Sequence, residues 1–306
     1  MKNRIMAPHL LTGFICLFTV LSLTRAKAQQ DVITFDVGSF TVTLLSEGQR
    51  QGNADMLIGA TEEMLKQAVP NGTYPNAVNA FLVKTESKTI LFDAGYGRKL
   101  FDNLKACGTA VEDIDAIVLT HMHGDHIGGM FIDGQRSFPK AELYIPKLEH
   151  DYWMSDEAMQ QTPENRRNRF MGARNVIRAY KDRLHIFTPG ELGAAQELLA
   201  GIGSVAIYGH TPGHTGYLLE SDGSKLFIWG DLTHAMAIQM PYPEVAVTAD
   251  VAPVKATESR RRLFQYLADN GIRAAGMHIP FPAIGDIEKS ITGGYIFKPV
   301  CECEGR

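Results

Sequence analysis

Residues 115–129 read Asp-Ala-Ile-Val-Leu-Thr-His-Met-His-Gly-Asp-His-Ile-Gly-Gly, and four side chains able to ligate a metal fall within six positions: His121, His123, Asp125 and His126. They follow the apolar run 116–119, which has the pattern of a buried strand. Alternate side chains of an extended backbone point the same way, so His121 and His123 can share one ion. Asp125 and His126, placed on a turn by Gly124, can reach a second centre nearby. The spacing therefore predicts two divalent metal ions. Imidazole and carboxylate donors suit Zn²⁺ best, with Mn²⁺, Fe²⁺ or Co²⁺ accepted by the same set.

Two ions need more donors, and three further apolar segments end in them. Residues 205–208 lead into Gly209-His210-Thr211-Pro212-Gly213-His214, 226–229 into Gly230-Asp231, and 273–277 into His278. Asp231 is suited to bridge, giving one oxygen to each ion. His278 would join Asp125 and His126, while either His210 or His214 would complete the first site.

These donors must be carried by strands, and the surrounding pattern supplies them. Residues 32–45 alternate apolar and polar about Gly38-Ser39, as a hairpin does. Residues 46–76 read as irregular apart from a short helix capped by Thr61, forming a surface excursion or a lid. Residues 79–84 and 88–92 are strands ending at Asp93-Ala94-Gly95, and 98–107 form an amphipathic helix stopped by Gly108. After the strand 141–145, residues 147–181 are helical with a break at Pro163. They carry a basic run, Arg166-Arg167-Asn168-Arg169, which reads as a solvated face or a contact for an anionic part of a substrate. Trp153, Met154, Phe170 and Met171 in this insertion either pack on the sheet or wall the metal site. Residues 217–219 form another strand, and 257–270 a helix ended by Asn270-Gly271. Two such halves give an α/β (α+β) chain: a four-layer αββα sandwich of two mixed β-sheets flanked by helices.

The 306 residues, 45% hydrophobic and 21% charged, have a globular composition. Lys2 and Arg4, the apolar run 10–23 and Ala26-Lys27-Ala28 read as a signal peptide over 1–28, leaving one domain over 29–306. That predicts a periplasmic or secreted protein without stable membrane association once cleaved. Losing Lys2, Arg4, Arg25 and Lys27 leaves 26 of the 30 basic residues against 34 acids, so no nucleic-acid partner is expected. Cys16 departs with the leader, and Cys107, Cys301 and Cys303 make no disulfide framework.

Thr120 to His126 resembles the metal-binding signature of the metallo-β-lactamase superfamily. Gly209–Tyr217, Gly230-Asp231-Leu232, Gly276–Pro282 and Gly294–Val300 further resemble its methyl parathion hydrolase group, close to acyl-homoserine-lactone lactonases. The resemblance implies that His210 is the ligand and His214 a support, that Asp93-Ala94-Gly95 steadies the metal loop, and that His150 and His185 lie outside the site. It places His234, three residues after the bridging Asp231, where a lactonase tyrosine holds the substrate carbonyl. The implied activity is hydrolysis of small neutral esters, foremost lactones, by a hydroxide shared between the metals, with Asp125 returning a proton to the leaving group. Met236, Met240, Tyr242 and Phe281 are read as an apolar flank to the site, and a homodimer is allowed. Phosphotriester hydrolysis is the alternative, followed by β-lactam hydrolysis and by an inactive metal-binding protein.

Overall fold

The computed structural model describes residues 31–300, so the leader expected over 1–28 and the tail cysteines Cys301 and Cys303 lie outside the described residues. Among these residues two seven-stranded sheets carry the molecule. The first runs in the order Val32–Val37, Phe40–Asn53, Thr73–Lys84, Thr89–Phe92, Ala116–Val118, Glu142–Pro146 and Leu184–Phe187. Its first three pairings are antiparallel and its last three parallel. The second comprises Gln196–Leu199, Ile202–Ala206, Thr215–Ser221, Ser224–Ile228, Arg273–Ala275, Ile284–Lys289 and Tyr295–Pro299, with one parallel pairing, Ser224–Ile228 to Arg273–Ala275. Both sheets are mixed, as expected.

The period of two along each strand divides the core into layers. Val42, Leu44, Phe81, Val83, Phe92 and Val118 point into one cluster with Tyr217, Leu219, Phe227 and Trp229 of the second sheet. The intervening Leu82, Leu91, Ile117 and Leu143 face a second cluster, roofed by Leu100 and Leu104 of the helix Leu100–Ala106 and by Phe170, Val176 and Ile177 of the helix Asn168–Ala179. On the far side, Leu263, Phe264 and Leu267 bring the helix Pro253–Asn270 onto the second sheet. That is the αββα order.

Several elements differ from the sequence pattern. The irregular stretch expected over 46–76 is largely strand: Phe40–Asn53 and Thr73–Lys84 stay paired to their ends, past a register shift between Ser46 and Gly48. The outer part of this hairpin projects beyond both cores, so it lacks the apolar alternation that marks a strand. Gln196–Leu199, Ile284–Lys289 and Tyr295–Pro299 are strands that the pattern did not mark, near the open edges of the second sheet. The last long helix begins at Pro253, whose fixed φ suits a first helical position, rather than at Thr257, and ends where Gly271 adopts φ 61°. The expected helix after Thr61 is present as Glu62–Ala68, with the Thr61 hydroxyl accepting from Met64 N.

The sheets meet at the ends of their ligand-bearing strands. Tyr217 Oη donates to Leu119 O at 2.5 Å, Thr215 N to Thr120 O at 3.0 Å, and Asn79 N to Met277 O at 2.9 Å. Gly209 sits at φ 134°, and a Cβ there would lie 2.1 Å from the main-chain nitrogen of Ala256. Gly209→Ala should therefore cost about 2–3 kcal/mol in urea-unfolding equilibria, since both backbone strain and a clash with the helix start act against it. A loss under half a kilocalorie would show that the helix does not hold this loop.

Candidate metal centre

Eight residues from four places in the chain converge. His121, His123, His210 and Asp231 offer ligand atoms all within 4.8 Å of one another, as do Asp125, His126 and His278, and as do Asp231, His234 and His278. All but Asp125 and His234 are buried. Each is delivered by a loop or, for Asp125 and His126, the short helix Gly124–Ile127, just past a strand. His121, His123, Asp125 and His126 follow Ala116–Val118, His210 follows Ile202–Ala206, Asp231 follows Ser224–Ile228 and His278 follows Arg273–Ala275.

Hydrogen bonds at the far ring nitrogens decide which atoms face inward. Thr120 Oγ1 donates to Asp93 Oδ2 at 2.7 Å, so its lone pair takes His121 Nδ1–H at 3.1 Å and leaves His121 Nε2 bare. His210 Nδ1 donates to Asp250 Oδ1 at 2.8 Å, His126 Nδ1 to Asp93 Oδ2 at 2.7 Å, and His278 Nδ1 to Ala77 O at 2.7 Å. Carboxylates and carbonyls behind imidazoles in this way fix the tautomer that ligates a metal. His214 is excluded on the same ground. Its Nδ1 donates to Ile207 O and its Nε2 accepts from Asp231 N at 3.0 Å, so both nitrogens are committed and the residue holds Asp231 in place.

The donor set fits divalent ions. His123 Nδ1 lies 3.0 Å from His121 Nε2 and 2.9 Å from His210 Nε2, three ring nitrogens turned onto one point. Asp231 Oδ2 stands 3.2 Å from His210 Nε2 and 3.1 Å from His278 Nε2. Asp231 Oδ1 and His126 Nε2 are buried 3.1 Å apart, yet each lacks a hydrogen bond. A cation among these groups would satisfy the unpaired ones.

The electrostatics agree. Burial alone would raise Asp231, but His126, His278, His121 and His234 hold its carboxyl well below the usual range. Burial would likewise raise Asp125, and His126 and His278 outweigh it, bringing it down to about 2. Burial pushes His234 down to about 4 despite Asp231, and His214 down to about 3. For His210, burial is overcome by hydrogen bonds to Asp231 and Asp250, which raise it to about 9. The cluster thus draws in positive charge.

Three polar groups at the site carry no signal in the sequence. Glu149, fully buried on the helix Lys147–Met154, accepts from Met122 N (2.9 Å), Trp153 Nε1 (2.5 Å), Thr211 Oγ1 (2.6 Å) and Gly213 N (3.1 Å). One carboxylate thereby joins the loop of His121 and His123 to that of His210 and His214. Asp250 backs His210 and accepts from Val247 N at 3.0 Å. Buried Arg260 donates to Leu232 O, Pro243 O and Val245 O, fixing the segment after Asp231. An acid or arginine amid polar helical or loop residues reads as a solvated face; only burial sets these apart.

Asp93 lies behind the metal loop, as expected. His234, read only as a substrate contact, also comes within ligating range of the cluster, its Nε2 3.0 Å from Asp231 Oδ2. His150 and His185 pair with Asp151 and Glu142, away from the cluster. The apolar flank is corrected. Met236, Met240 and Phe281 line a separate groove with Tyr295 and Phe297, while Tyr242 bonds Gln67. The cleft of about 570 Å³ over the cluster is walled instead by Arg50, Gln51, Tyr74, Asn76, Tyr96 and Arg169, supplied mostly by the projecting hairpin. Trp153 and Phe170 pack under the sheet, whereas Met154 and Met171 face outward.

Residues 73–271 match the family model described as the metallo-beta-lactamase superfamily. Among solved structures, hydrolase AbOPH of the beta lactamase superfamily is similar at 28% identity and a TM-score of 0.81, over 89% of this chain and 98% of that one. AidC, a dizinc quorum-quenching lactonase in complex with a product, is similar at 27% identity and a TM-score of 0.78, over 88% and 98%. The uncharacterized protein YobT of Bacillus subtilis (strain 168) is 26% identical over 150 residues, or 49% of this chain and 60% of YobT.

Two outcomes follow from the geometry. Protein stripped with a chelator carries a proton on His210 at pH 7, because its raised value of about 9 lies above that pH. Ligation needs the bare nitrogen, so zinc uptake at pH 7 should release at least one proton per chain, and less as the pH passes 9. Indicator-dye titration reads this, and uptake without proton release would refute the assignment. Glu149→Ala leaves two main-chain N–H groups and two side-chain donors buried without an acceptor. It should lose about 3–5 kcal/mol of stability together with metal content, while Glu149→Gln loses less. Urea unfolding and elemental analysis measure both.

Proposed function

We propose, from the premise that this chain belongs to the metallo-beta-lactamase superfamily and is a metal-dependent hydrolase, that it holds two divalent ions, zinc first, and hydrolyses small carboxylic esters, lactones foremost. The observation that carries this reading is Asp231. Its two oxygens face different donor groups, Oδ2 toward His210 and His278 and Oδ1 toward His126. His121, His123, His210 and Asp231 would hold one ion, and Asp125, His126, His278 and Asp231 the other. The similarity to a dizinc lactonase supports the substrate class.

Such ions supply Lewis acidity toward an ester carbonyl and make water acidic enough to furnish a nucleophile near neutral pH. The chain's own groups do the rest. Asp125 stands at the mouth, its side chain 19% exposed, with Arg50 Nη2 3.6 Å from Oδ2. His126 and His278 outweigh burial and keep Asp125 ionised at working pH, so it can accept a hydrogen bond from the attacking water and relay that water's proton to the departing alkoxide. The leaving group therefore lies on the side of Asp125 and Arg50, and the acyl part on the side of His123. His234 stands over Asp231 at the cleft, its Nε2 3.0 Å from Oδ2, and its ring would meet a substrate oxygen there. Arg50, bonded to Asn76 Oδ1 at 2.7 Å, orients Asp125.

Zinc-loaded protein should open an acyl lactone and cleave aryl esters, and a chelator should abolish both activities. Asp231→Ala should lose metal and at least about a thousandfold in kcat. Asp125→Asn should lose kcat by roughly 10²–10⁴. Metal-replete protein inert toward lactones and aryl esters alike, but active on a phosphotriester or a β-lactam, would overturn the reading.

A further inference from the structure

The cleft over the cluster does not end at His123. His123, Arg169 and Ala249 border both that cleft and a second chamber of about 340 Å³, in the size range of ligand sites. Its walls come from the helices Lys147–Met154, Asp156–Gln161 and Asn168–Ala179 and from residues 249–251. Its aromatic side is Tyr152, with an edge of buried Trp153 and Phe170 behind it, and Arg166 and Arg169 give it two guanidiniums. Asp125 borders the cleft but not the chamber.

The three arginines of the basic run are not equivalent. Arg167 folds back, Nε donating to Thr162 O at 3.0 Å and Nη2 to Gln160 O at 2.9 Å, and it is absent from the chamber wall. Arg166 is half-buried and donates one bond, to Thr248 O at 3.2 Å, leaving the rest of its fork toward the chamber. Arg169 has no hydrogen bond or ion pair among the described residues. The one acid on the wall, Asp250, is committed to His210 Nδ1 and Val247 N. Two guanidiniums thus face a half-aromatic space without a carboxylate to answer them. They also flank the first turn of Asn168–Ala179, which has no acid and no capping side chain, so the helix dipole opposes them too. A local arrangement that works against folding marks a functional surface.

We infer that the chamber receives the acyl end of the substrate and that this end carries a carboxylate, paired with Arg166 and Arg169 across an aromatic floor. The inference rests on the ester-hydrolase reading, which sets the leaving group beside Asp125 and the acyl group beside His123. A bidentate guanidinium–carboxylate pair is the strongest contact this lining can make, and a plain alkyl chain would leave both cations unanswered.

The test compares two esters with one leaving group, 4-nitrophenyl butyrate and mono-4-nitrophenyl glutarate, on zinc-loaded wild type, R169Q and R166Q/R169Q. Glutarate and butyrate themselves are titrated calorimetrically into the same proteins. In wild type the KM of the glutarate ester should be about tenfold below that of the butyrate ester, the worth of one charge-assisted pair. That ratio should shrink in R169Q and approach one in the double variant, with the calorimetric preference for glutarate falling in parallel. R169Q removes no hydrogen bond or ion pair among the described residues, so it keeps the comparison informative should the double variant fold poorly. Equal KM values in wild type, or a preference that survives both variants, would overturn the chamber's role and leave ester hydrolysis standing. A glutarate preference in calorimetry that the variants abolish, with neither ester turned over, would support the chamber and count against hydrolysis.

Discussion

One buried carboxylate sets the terms for this molecule. Asp231 is 2% exposed and ringed by imidazoles from both halves of the sandwich, four of them within 3.2 Å of its oxygens. An isolated charge in such surroundings is costly to bury, and neutral imidazoles alone cannot balance it. The arrangement holds only if positive charge sits among these groups and if every ring is turned to face it. The second requirement shapes what lies behind. Asp93, Asp250, Thr120 and the carbonyl of Ala77 each take up an outward ring nitrogen. His214 and Glu149 pin the loops themselves.

The sheets answer to the same demand. Strands of the first sheet end at His121 to His126 and strands of the second at His210, Asp231 and His278, so neither half holds a complete set. Their close junction, through Tyr217 to Leu119 and Thr215 to Thr120, lies at the cluster rather than at the middle of the sandwich. Rigid strand ends bring the donors close, and the irregular backbone beyond them supplies the final aim. Selectivity then falls to segments added around this frame: the projecting hairpin on one side and the helices after Pro146 on the other.

Much of this was legible in the residues. The run from His121 to His126 named its own chemistry, and His210, Asp231 and His278 could be found because each follows an apolar run after a glycine or a methionine. Layering followed from alternation, as in Phe81, Leu82 and Val83. What stayed hidden has a common cause. Glu149, Asp250 and Arg260 are polar residues made functional by burial, which leaves no local trace. The hairpin beyond Ser46 escaped because a strand that leaves the core loses the periodicity by which strands are recognised. Met236, Met240 and Phe281 misled for the opposite reason. They are apolar and near His234 and His278 in sequence, but their side chains turn to another groove.

The overhang of that hairpin has an evolutionary corollary. Neither main core takes a side chain from residues 46–79, although this stretch furnishes much of the wall facing the cleft. At its exposed wall positions, such as Gln51 and Met56, mutations are screened by what the wall admits far more than by whether the sandwich folds. A lineage carrying this architecture can therefore diversify its diet quickly through one ribbon, while the ancestral chemistry beneath is inherited intact.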